Sequence, residues 1–363
     1  MNKNIDILNN PILNIPINRQ KTDFYLKLKT IYSEYIELIE DFEGTLGDSV
    51  NKNLKNIKRE ITLILRAVEL YYIGKTCKSY LELYKCLDLL KLNNLLEIGK
   101  IVGDFYRIRV AQNINLTRKD LFHIPFQLRE KVATQRYSIP GLPCLYMADS
   151  IFTAWEEMGR PEFNNIHVSR CNSASKSFKL LYLNVTTQEM RQRCIGQNKI
   201  NHENQLAKFL SYWPLLASCS FNVNERNEAF KPEYIIPQMV LQWIIENDDI
   251  HGIQFKSNRI SSSVLNVGSF NNIAIPVESS NSLGYCELLK KKIKLTSPLS
   301  WALLDISEPT HLPKIKKVSD LSTENIRRAS YIELIDGEKT DYFNSKFGIM
   351  EEKLKNMSLD FIS

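Results

Sequence analysis

From Thr22 to Leu92 apolar residues recur every three or four positions, and near Gly99 that rhythm gives way to alternation. This break constrains the fold more than any other feature of the chain. Phe24, Leu28, Ile31, Tyr35, Leu38 and Phe42 draw one stripe, which predicts a helix over about 22–47. Leu54, Ile57, Ile61, Ile64, Leu65, Val68 and Tyr72 draw a second over 49–72, closed by Gly74. Tyr80, Leu83, Leu87 and Leu90 mark a third over 79–92. An apolar stripe has to be covered, and three consecutive ones can cover each other, so residues 1–98 read as an all-helical domain.

Past Gly99 the chain is strand-prone. FYRIRV (105–110), LPCLYMA (142–148), SFKLLYLNV (177–185), IHGIQFKS (250–257) and NNIAIPV (271–277) are short β-rich runs. Helical patterns near 150–159, 202–212 and 234–246 lie between them. The fold class is therefore α+β, an N-terminal helical domain followed by a mixed α/β domain over 99–297. Residues 298–363 read as an extension packing on that second domain, with Pro298, Pro309 and Pro313 interrupting any long helix and a last helix between Tyr342 and Leu359. Two domains also suit a length of 363 residues, since a domain usually holds about 100–200.

Composition narrows the functional classes. Forty-seven basic and 41 acidic residues leave a net charge of +6, too slight to call for a nucleic-acid partner. The lysine clusters at 52–59 and 290–294 read as solvated faces. Seven cysteines without a C-x-x-C pair argue against a disulfide framework and a thiolate metal site, and fit a reducing, cytoplasmic setting. The first residues lack the pattern of a secretory signal, and no window approaches the about 20 apolar residues of a membrane span. Phosphate loops, G-x-G-x-x-G, H-E-x-x-H and G-x-S-x-G are all missing from the sequence. The five histidines have no ligand spacing, so no metal is expected. Cys144 reads as a buried structural thiol and the tryptophans as core anchors.

One stretch remains, RYSIPGLPCLYMADSIFTAWEEM (136–158). It runs from an arginine through a turn and a short strand into a helix that Asp149 or Ser150 can cap and that Gly159 and Pro161 end. Ile151, Ala154, Trp155 and Met158 share one face, which must be core. Glu156 and Glu157 lie off it on opposite flanks, and geometry alone does not choose between them.

Arg136, Gly141, Tyr146 and Ala148, followed by a helix with A-x-x-E, resemble the RES domain family. The register from Ala154 selects Glu157. FYRIR resembles the family's opening strand and makes Arg107 a match, HGIQFKSNR resembles the segment that supplies its serine, Ser257, and NNIAIPV its Asn-rich closing strand, which begins at Asn271. Gln135 stands where the family often has glycine. The resemblance spans about 99–295, and the helical region is similar in architecture to the HEPN-like domains that precede some RES domains. It has no histidine for a HEPN ribonuclease site, since the first is His123, which points to dimerisation, regulation of the NAD site or sensing of a trigger as its role.

The resemblance implies an ADP-ribosyltransferase-like fold that cleaves the nicotinamide–ribose bond of NAD, with NAD as substrate and no metal. Nicotinamide leaves a cationic ribose, which a fixed carboxylate, Glu157, would stabilise. Arg136 and Arg107 would grip the pyrophosphate by the guanidinium fork, Tyr146 would position the ribose, Ser257 would orient the substrate, and Asn271 would contact NAD. The implied biology is a toxin held by an antitoxin or released by a phage-derived trigger, oligomeric through the helical domain. Transfer of ADP-ribose to a macromolecule and silent nucleotide sensing remain open alternatives. Each residue also has a plainer reading: Arg136 at a turn, Arg107 on an edge strand, Tyr146 in the core, Glu157 solvated and Ser257 in a loop. The joint spacing is what argues against these.

Overall fold

The computed structural model describes residues 7–40, 44–112, 116–174, 178–194, 198–225, 227–260, 270–279, 281–307, 331–335 and 337–362. Its main helices are α1 Phe24–Glu40, α2 Gly44–Tyr72, α3 Thr76–Leu92, α4 Ile151–Glu157, α5 Thr187–Cys194, α6 Lys199–Cys219, α7 Ile235–Ile245, α8 Glu287–Lys292, α9 Trp301–Ser307 and α10 Lys346–Lys355. The strands are β1 Ile98–Lys100, β2 Phe105–Val110, β3 Cys144–Ala148, β4 Ile166–Ser173, β5 Lys179–Leu183, β6 Gly252–Lys256, β7 Asn271–Pro276, β8 Ile293–Leu295, β9 Leu299–Ser300, β10 Tyr331–Ile335 and β11 Glu338–Asp341. The fold is α+β with an N-terminal helical region. Phe42, Pro309 and Pro313, which entered the sequence argument, lie outside the described residues.

The chain folds into two compact units that differ from a simple division at residue 98. The first comprises 1–98, 135–137 and 181–248; the second comprises 99–134, 138–180 and 249–363. The helical unit thus draws in α6 and α7 from far along the sequence. The physical reason lies in α6. Leu206, Phe209, Leu210, Tyr212, Trp213, Leu215 and Leu216 are all buried, so the second half of α6 is covered on most of its circumference and must be enclosed by other helices. It packs on α2, while α7 packs on α3, where the Trp243 indole donates to Asp88 at 3.0 Å.

Pro214 lies inside α6 and cannot donate to the carbonyl of Leu210. The Tyr35 hydroxyl supplies that bond instead, while the Tyr32 hydroxyl donates to the Pro214 carbonyl at 2.8 Å. The next amide, Leu215 N–H, donates to Oε1 of Glu60 at 3.1 Å. This explains why a glutamate is buried on the inner face of α2, with 1% of its surface exposed. Burial pushes the Glu60 carboxyl well above the usual carboxylate range, and the Leu215 bond offsets part of that rise.

The second unit is built on antiparallel pairs that run β6–β7–β3–β2–β4–β8, with β9 beside β4. Strand β4 was not among the expected runs. Its sequence IHVSRCNS interleaves polar residues, yet Ile166, His167, Val168, Ser169 and Cys171 are all buried, because the strand lies between β2 and β8. Tyr106 pairs with Ala148, Ala148 with Asn272 and Tyr146 with Ala274. Directly paired residues share a sheet face, so Tyr106, Tyr146, Ala148 and Asn272 lie on one side.

On that side Tyr106, Ile108, Ala148 and Val168 form a core with Ile151, Phe152 and Ala154 of α4. The chain beyond 298 adds Trp301, Leu304, Tyr342, Phe347, Met350 and Leu354 to it. Helix α4 differs from expectation at two places. Met158 is 49% exposed and Phe152 takes its place in the core, since the helix stops at Glu157.

Candidate active site

Helix α4 is held at both ends. At its start the Ser150 side chain accepts from Thr153 N–H at 3.1 Å, the expected cap. The Ile151 amide donates to the buried carboxylate of Glu351, on α10, at 2.8 Å, which suits the positive end of a helix. At its far end Gly159 turns the chain with φ +82°, a conformation glycine adopts without a steric cost.

Of the two adjacent carboxylates, the structure separates what spacing alone left open. Glu156 is buried and paired with Arg160, at 2.9 Å to Oε1 and 3.0 Å to Oε2. Glu157 stays about one-third exposed (32%) and gathers donors from two other elements. The Ser257 hydroxyl donates to its Oε1 at 2.6 Å, and the Asn272 amide donates to the same oxygen at 2.8 Å. Arg259 Nε reaches Oε2 at 3.2 Å. The Arg259 amide in turn donates to Ser257 Oγ at 3.3 Å, so the short segment after β6 closes on the carboxylate.

The remaining sequence candidates fall elsewhere. Tyr146 shares the sheet face of Asn272 by register and is half-buried. Arg107, one residue from Tyr106, projects from the opposite face, and its Nη1 donates to the Tyr146 carbonyl at 2.7 Å. Burial pushes its guanidinium down to about 10, with Cys171 raising it and Arg109 lowering it further. Asn271 is turned away from its neighbour Asn272, as strand alternation requires. Its backbone and side-chain amides both donate to Asp149 Oδ2, at 2.9 and 3.1 Å, which ties the start of β7 to the end of β3.

Arg136 belongs to the helical unit. Its Nη1 and Nη2 donate to the carbonyls of Cys219 and Phe221 at 3.0 and 2.7 Å, and its guanidinium lies 5.3 Å from the Tyr234 ring. It thereby satisfies the last carbonyl of α6, which the helix itself leaves unpaired, together with one just beyond it. Any hold on a phosphate would require these two bonds to be released.

Arg259 and Asn272 were not singled out from the sequence, although both sit inside the runs that carried the resemblance. No sequence signal chose Asn272: β7 is buried on both faces, and the pairing of Ala148 with Asn272 is a register that only the structure shows. Burial pushes the Cys144 thiol up to about 12, as a structural cysteine requires. Among the described residues no group of His, Cys, Asp and Glu side chains is arranged to hold a metal ion, and no described helix is long and apolar enough to cross a membrane.

An α+β protein with a helical N-terminal region and a serine- and asparagine-bonded glutamate at a helix end is the class these observations define. Over 303 residues the chain is 32% identical to a Bacillus subtilis (strain 168) protein named "Putative toxin YopC", covering 79% of this chain and 68% of that relative. The chain belongs to the family of that protein. No family model matches it, and no solved structure does.

Proposed function

We propose that the chain is a toxin that cleaves the nicotinamide–ribose bond of NAD at Glu157. The observation that carries this reading is the convergence of Ser257 and Asn272 on one oxygen of a partly exposed carboxylate. A glutamate fixed by donors from separate elements has its orientation set before substrate arrives, which is how electrostatic stabilisation of a cationic transition state is achieved. The departing nicotinamide leaves positive charge on the ribose carbon and ring oxygen, and Glu157 would face that charge. Tyr146, on the same sheet face, would hold the ribose. The resemblance to RES domains supports the NAD assignment, while the name of the relative supports the toxin part alone and with it an antitoxin as the controlling partner.

Incubating the purified protein with NAD, with and without inorganic phosphate, tests the reading. Released nicotinamide with free ADP-ribose identifies a glycohydrolase, phosphate-dependent release a phosphorylase, and label on a macromolecule an ADP-ribosyltransferase. NAD left intact at enzyme concentrations comparable to substrate would refute all three.

A further inference from the structure

Ser257 and Asn272 both use Oε1 of Glu157, whereas Oε2 receives Arg259. We propose that Arg259 is the phosphate-holding residue of this site, exchanging the Glu157 carboxylate for the pyrophosphate of an entering dinucleotide. The inference rests on the preceding reading of the site and adds to it the group that recognises the anionic half of the substrate.

Three observations support the exchange. The Arg259 and Glu157 side chains are 33% and 32% exposed, and an ion pair so open to water contributes at most about 1 kcal/mol, so little opposes its release. The backbone at 259 is anchored by its amide on Ser257 Oγ, which fixes the base of the side chain, while the guanidinium adds to the Glu157 pair a long bond from Nη1 to the Glu156 carbonyl at 3.4 Å that the exchange must also release. The other arginines near the site are committed to different partners: Arg107 to the Tyr146 carbonyl and Arg160 to Glu156.

Electrostatics supplies the direction. A guanidinium seated on Glu157 offsets the negative charge that a cationic ribose would need, so the pair as it stands opposes catalysis. Two adjacent phosphates offer the guanidinium more charge and a bidentate geometry. Moving Arg259 onto them binds the substrate and uncovers Oε2 in the same motion. Discrimination follows, because a ligand without phosphates cannot displace Arg259.

The test measures the affinity of the full chain for ADP-ribose and for adenosine by calorimetry, in the wild type, R259Q and R259K, with melting midpoints read in parallel. Loss of charge-assisted bonds predicts ADP-ribose binding weakened about 10- to 100-fold in R259Q, adenosine binding unchanged, and R259K between the two. Equal ADP-ribose affinity in R259Q and wild type overturns the proposal, as does an equal loss for both ligands. If the wild type neither binds ADP-ribose nor consumes NAD, the enzymatic reading itself falls, a result distinct from any difference among the variants.

Discussion

The Ser257 hydroxyl donates to Glu157 Oε1 at 2.6 Å across 100 positions of sequence. Two elements packed separately, the end of α4 and the loop after β6, meet at this bond. Neither residue could hold the other without the β3–β7 and β6–β7 pairings beneath them.

If Glu157 stabilises the ribosyl cation, Glu157→Gln keeps the shape and both donors' partner oxygen but removes the charge. Nicotinamide release is expected to fall about 100-fold or more, with an unchanged melting midpoint. Ser257→Ala, which removes one donor to a charged group, is expected to cost about 10- to 100-fold. A folded Glu157→Gln protein with full turnover would remove the assignment.

Glu351 lies on α10 yet accepts from the first amide of α4 and from the Tyr342 hydroxyl. Glu351→Ala leaves both donors buried without it, a loss of about 1–3 kcal/mol. Urea denaturation should show that loss, and turnover should fall with it because α4 carries Glu157. A variant with unaltered stability would show that the extension does not anchor the helix.

Glu60 predicts a pH dependence of opposite sign to that of a surface carboxylate. Its folded-state pKa is raised, so the folded protein keeps a proton that the unfolded chain has released. Stability therefore declines as pH climbs from the ordinary carboxylate range toward the raised value. Glu60→Gln retains an oxygen for Leu215 N–H and cannot ionise. Its melting midpoint should exceed that of the wild type at pH 8, and the difference should vanish near pH 4. Parallel curves over that range would contradict the buried, protonated state.

Arg136 offers a contrast between a structural and a binding role. Its two bonds to the carbonyls of Cys219 and Phe221 imply that Arg136→Ala destabilises the protein by about 1.5–3 kcal/mol. A chemical denaturation midpoint left in place, combined with lost NAD affinity, would return the residue to the role the resemblance implied.

The first three helices were legible because their stripes repeat over about three turns or more, but the boundary between the first two was not: α1 ends at Glu40 and α2 begins at Gly44, inside the span expected of the first helix. The strands FYRIRV, CLYMA, GIQFK and NNIAIP were legible from β-branched and aromatic content. What stayed hidden depended on distant neighbours. Strand β4 is polar in sequence and central in space, and α6 runs through Pro214 because Tyr32, Tyr35 and Glu60 accept the geometry that the proline imposes.

At the site, the sequence alone determined which carboxylate-bearing helix follows which strand; the choice of Glu157 and Ser257 came from the resemblance to RES domains, since local spacing left Glu156 and Glu157 equal. Tertiary structure decided the rest: Glu156 turned inward to Arg160, Asn272 rather than Asn271 reached Glu157, and Arg107 went to the far face. The division has a physical cause. Periodicity records which side of an element is apolar, whereas strand register sets which polar side chains meet, and register is a property of pairs of segments that no single segment encodes.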